Sequence, residues 1–86
     1  MSFRPPMTQA QIQYAISEMK DVILIHYKES DHIVSMIPKM EEMSQKNDYV
    51  TREKLMRWLG FMQGVLWSDG LYDIDELREL NTKELH

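Results

Sequence analysis

Between Arg52 and Asp69 the chain carries Leu55, Met56, Trp58, Leu59, Phe61, Met62, Val65, Leu66 and Trp67. At 3.6 residues per turn these side chains cover most of the circumference of a helix instead of one stripe. Such a helix is expected at the centre of the fold, covered by other helices of the 86-residue chain and, where those run out, by a second copy. Gly60 and Gly64 stand four apart and share one face of it. Each glycine is about 1 kcal/mol less favourable than alanine in a helix, so a close backbone approach is expected to compensate. That approach is a crossing within the chain or a seam between copies, the latter formed by Gly60, Gly64 and Trp67.

The remaining sequence reads as shorter helices around it. Thr8 and Gln11 have capping-box spacing, and Ile12, Ala15, Ile16, Met19, Val22 and Ile23 then keep a helical rhythm, predicting a helix over residues 9–28. Tyr14, Leu24 and Ile25 widen its stripe. Ser30 or Asp31 caps a second helix, 31–45, in which Ile33, Met36, Ile37, Met40 and Met43 stay in phase across Pro38. Pro38 either kinks this helix or splits it, because a proline removes one backbone hydrogen bond. Residues 45–50 are polar and read as a loop before a cap at Thr51, with the third helix over 52–69. Gly70 suits a left-handed helix end, and Asp73 with Glu76 repeats the capping-box spacing ahead of a short helix over 74–81. Arg4, Pro5 and Pro6 make residues 1–7 an extended N-terminal arm. The expected fold is all-α: a single domain, 1–86, built as a small bundle of about four helices.

Charge and residue usage remove several function classes. Ten basic and 14 acidic residues give a formal charge of −4, so broad binding to nucleic acid has no electrostatic footing. The longest strictly apolar run, Val22 to Ile25, is far too short to span a bilayer, and the start of the chain lacks a secretory pattern; no membrane association is expected. With no cysteine there is no disulfide, thiolate metal site or cysteine nucleophile, which suits a cytoplasmic location. Asp69 to Leu77 carries the Asp-Gly and the distant Glu76 of a calcium loop, but Val65 and Trp67 fall where earlier ligands belong. A helix-turn-helix through Gly70 would point Asp73, Asp75, Glu76 and Glu79 at phosphates, with Arg78 alone opposing them. His26, His32 and His86 lack paired-ligand spacing, and no serine sits in a nucleophile elbow. No metal, no cofactor and no enzymatic activity are expected.

The charge imbalance is local. From Asp69 onward six acids face two bases, whereas the rest of the chain is balanced. Asp73, Asp75, Glu76 and Glu79 therefore form either a solvated face or a docking patch for a basic partner. Eight methionines, among them Met36, Met40 and Met43 along one face, serve as core filler or as an adaptable binding groove.

The segment Arg57-Trp58-Leu59-Gly60-Phe61-Met62-Gln63-Gly64-Val65-Leu66-Trp67, followed by Asp73-Ile74-Asp75-Glu76-Leu77-Arg78, resembles the C-terminal half of small helical proteins encoded by tailed phages and prophages. The resemblance covers roughly a third of the chain and brings no catalytic or ligand residue with it. It implies an accessory protein in the host cell cytoplasm that binds and inhibits or redirects a host protein, such as a defence nuclease or the transcription machinery. A second possibility is a homo-oligomer that sequesters a small nucleotide signal between subunits. There Tyr14 and Tyr27 would stack on the base and Lys20, Lys28 and Arg57 would meet phosphates, with Tyr14 and Lys28 serving one ligand only across a subunit boundary. A third is a structural or assembly subunit. A homo-dimer or larger homo-oligomer fits each of them.

Overall fold

In the computed structural model residues 7–85 are described, and they form four helices: α1 Gln9–His26, α2 His32–Met43, α3 Tyr49–Ser68 and α4 Ile74–Asn81. No strand occurs among them, so the chain is a small all-α bundle. The expected N-terminal arm lies outside the described residues except for Met7, which packs against the core. No helix among the described residues is long and apolar enough to cross a membrane.

Local chemistry sets most boundaries. Thr8 and Gln11 close a reciprocal capping box at the start of α1, and Asp73 and Glu76 do the same for α4. α1 ends at His26, two residues early, because Tyr27 turns to extended backbone and donates its hydroxyl proton to the carboxylate of Asp69 beyond α3. α2 runs unbroken through Pro38, settling the alternative between a kinked helix and a split one. Pro38 is exposed while Met36, Ile37 and Met40 are buried on the other side, so packing holds the helix where one hydrogen bond is missing. α3 begins three residues earlier than the sequence indicates. Its cap is Asp48, whose carboxylate accepts the Thr51 N–H at 2.9 Å, so Thr51 is the donor inside the first turn and not the cap. Hydrogen bonding from Thr51 holds the Asp48 carboxyl below its ordinary pKa. At the other end Gly70 adopts φ 75°, the Leu71 N–H reaches the Leu66 carbonyl at 2.9 Å, and the Gly70 N–H reaches that of Trp67 at 3.0 Å. Together they form a complete Schellman stop.

Packing departs from the expectation in one respect. The centre of the bundle is the α1–α2 pair: α1 rests on α2 and α4, and α3 packs mainly on the other side of the pair, on α2. α1 buries Ile12, Ala15, Ile16, Met19 and Ile23; its Leu24 and Ile25, expected to widen the stripe, are exposed. α3 buries one row, Leu55, Leu59, Met62 and Leu66, and leaves Met56, Phe61 and Trp67 on the surface. Three short neighbours cannot surround a 20-residue helix, so burial follows the row that meets the core. Nor do Gly60 and Gly64 mark a crossing within the chain: apart from the adjoining backbone of α3 and the residues either side, no atom lies within 4 Å of where a Cβ would stand on either. Polar links complete the assembly. The Gln9 and Gln13 amides both donate to the Ser44 carbonyl at the end of α2, and the side chains of Gln63 and Asn81 pair reciprocally at 2.6 and 2.9 Å, joining α3 to α4.

Candidate functional site

The side of α1 that receives α4 carries Tyr14 and Glu18, one helical turn apart. The Schellman stop brings the chain back after α3 and places Tyr72, half-buried, beside them. The capping box then fixes the start of α4, so that Glu76, Glu79 and Leu80 complete the opposite wall. The result is a groove of about 270 Å³ lined by these residues and Lys83. Its lining combines two aromatic rings with three carboxylates.

Electrostatics register that arrangement. The Tyr72 hydroxyl has its pKa raised, first by burial and then by the charges of Glu18 and Glu76, with Tyr14 and Asp21 adding to them. Tyr14 is raised as well, chiefly by the neighbouring Glu18 carboxylate. Both phenols therefore stay neutral at physiological pH and set aromatic rings beside carboxylates. A lysine or arginine side chain suits such a site: carboxylates pair with the cationic head and the rings receive the stem or the cation itself.

The four acids expected to form a docking patch have separate duties. Asp73 accepts the Glu76 N–H at 2.7 Å, and Glu76 accepts the Asp73 N–H at 3.0 Å, so each supports α4 with one oxygen. A second carboxylate oxygen of Glu76 remains for the groove. Asp75 is highly exposed and lies 3.7 Å from Arg78. Glu79 lines the groove and, among the described residues, makes no hydrogen bond or ion pair. Two further groove residues, Glu18 and Tyr72, are absent from the sequence-based set. The Tyr14–Glu18 spacing on a predicted helix was a usable signal for the first; nothing local signalled Tyr72, because the turn at Gly70 decides where it points.

The residues considered for a nucleotide do not meet within one chain. Tyr14 joins the acidic groove, Lys28 is exposed in the turn after α1 with its N–H bonded to Asp31, and Arg57 is on α3. Arg57 instead borders a shallow hollow of about 610 Å³ between α2 and α3, with His32, Met36, Lys39, Trp58 and Phe61. The Lys54 ammonium stands 5.5 Å from the centre of the Trp58 ring. Tyr27 is engaged by Asp69, its pKa pushed up to about 12 by burial and then by that carboxylate, and Lys20 pairs with Glu41 at 3.1 Å. Gly60, Gly64 and Trp67 lie on the exposed side of α3. Searches against family models, curated proteins and solved structures find no match to the chain.

Proposed function

We propose that this chain is a non-enzymatic interaction protein that docks a basic segment of a partner protein in the groove between α1 and α4. The observation that carries the reading is the convergence of Glu18, Glu76 and Glu79 on the rings of Tyr14 and Tyr72. A lysine or arginine entering there meets carboxylates on both walls, and the acidic C-terminal quarter steers it by long-range attraction. The resemblance to phage-encoded helical proteins makes a host protein the natural partner, held or redirected by occupation of its basic surface.

The test separates the groove from net charge. An arginine-rich peptide is titrated against the full chain, against Glu18→Gln/Glu79→Gln and against Asp75→Asn/Glu84→Gln, two variants that lose equal charge at different places. The groove variant should bind at least about tenfold more weakly, with a shallower salt dependence, while the second stays within about twofold of the parent. Equal losses in both variants, or none in the first, would refute the site.

A further inference from the structure

Of the nine large hydrophobic side chains exposed among the described residues, five belong to α3: Tyr49, Val50, Met56, Phe61 and Trp67. At helical spacing Tyr49, Glu53, Met56, Gly60 and Trp67 succeed one another by four, three, four and seven residues and share one side, about a third of a turn round the helix from the buried row. The first half of that side holds a hollow of about 480 Å³ lined by Tyr49, Arg52, Glu53, Met56 and Arg57. The second half holds a knob, the 54% exposed indole of Trp67. Gly60 lies midway: Glu53 in the hollow precedes it by seven residues and Trp67 follows it by seven, about 10 Å along the axis each way.

We infer that this face of α3 joins two copies of the chain, antiparallel about a two-fold axis at Gly60, with each Trp67 seated in the hollow of the other copy. The chemistry of the hollow suits an indole. The Glu53 carboxylate, which accepts the Tyr49 hydroxyl at 3.0 Å, keeps acceptor capacity for an indole N–H. Arg52 and Arg57 flank the ring as cations and Met56 offers a thioether. The same axis lays Met56 of one copy over Gly64 of the other, twice, and Gly60 over Gly60. With open space where either Cβ would be, the glycines let the backbones close while the aromatic knob and its socket supply the attraction.

Charge order selects this orientation and this occupant. Trp58 to Ser68 contains no charged residue, so antiparallel overlap sets Arg57 opposite Gln63, Arg52 opposite Ser68 and Glu53 opposite Trp67. Parallel overlap would stack Arg57 on Arg57 and Glu53 on Glu53, which repel. The overlap of the two helices, residues 52–68, is about 25 Å long and roughly 20 Å wide with its flanking side chains, and covers on the order of 500 Å² per copy. That is the low end for a specific interface and suits a weak, reversible dimer with isologous contacts.

Sedimentation equilibrium of the full chain over the micromolar range tests it, with circular dichroism confirming that each variant is folded. The parent should pass from monomer to dimer, Trp67→Ser and Gly64→Leu should each weaken association by at least about tenfold, and Met56→Ala added to Gly64→Leu should recover most of the loss by restoring space. A parent that stays monomeric throughout, a dimer untouched by Trp67→Ser or Gly64→Leu, or a double variant that recovers nothing would overturn the interface.

Discussion

Replacing Gly60 and Gly64 together by alanine should stabilise the monomeric fold. Both residues are exposed in the middle of α3, neither has a positive φ, and apart from the adjoining helix backbone and the residues either side no atom lies within 4 Å of either new Cβ. The substitution therefore introduces no clash and gains no contact, leaving helix propensity and the smaller conformational freedom of the unfolded chain as the only changes. At about 0.8–1.0 kcal/mol per site the pair is worth roughly 2 kcal/mol. For a domain of this size that raises the melting temperature by roughly 8–15 °C. Urea unfolding followed by far-ultraviolet circular dichroism, at dilution low enough that a second copy adds nothing, should show a higher midpoint with an unchanged slope. A midpoint that falls or stays put would mean that these backbones are pressed against something in the folded chain, and the open α3 face would be wrong.

Two further outcomes follow from the helix ends. Asp73→Ala removes one side of the α4 capping box and should destabilise the chain by about 1 kcal/mol, read from the same unfolding midpoint. Glu76→Gln, which keeps an acceptor for the Asp73 N–H, should lose much less. Tyr27 has a folded pKa raised to about 12 from its ordinary 10.0, so folding favours the neutral phenol. Its contribution is fully present below pH 10 and declines as pH rises through the interval up to about 12. Tyr27→Phe should flatten that alkaline decline and remove the most alkaline phenolate seen by ultraviolet titration.

The parts of the fold that could be read from the sequence are those fixed by short-range chemistry. α4 spans the residues its capping box and apolar spacing predict, and the stop after α3 follows from Gly70 with Leu71. The start of α3 was harder to read because Asp48 and Thr51 are both competent caps. Tyr49 and Val50, exposed in the first turn, added no apolar phase to choose between them. The role of α3 was misjudged for a different reason: its apolar residues outnumber what three small neighbours can cover, so periodicity alone could not tell a buried side chain from an exposed one. Of the groove, the acids were legible as a charge excess, and Tyr14 was noted for another ligand. Their meeting with Glu18 and Tyr72 depends on how α4 folds back onto α1, a long-range arrangement that no local spacing encodes.

The central claim is that the α1/α4 groove receives a basic side chain, and amide chemical-shift mapping of the isotope-labelled full chain with an arginine-rich peptide tests it most directly. The account predicts saturable shifts concentrated on Tyr14, Glu18, Tyr72, Glu76 and Glu79, with little change along α2. Shifts spread evenly over the acidic surface, or gathered away from the α1/α4 groove, would contradict it.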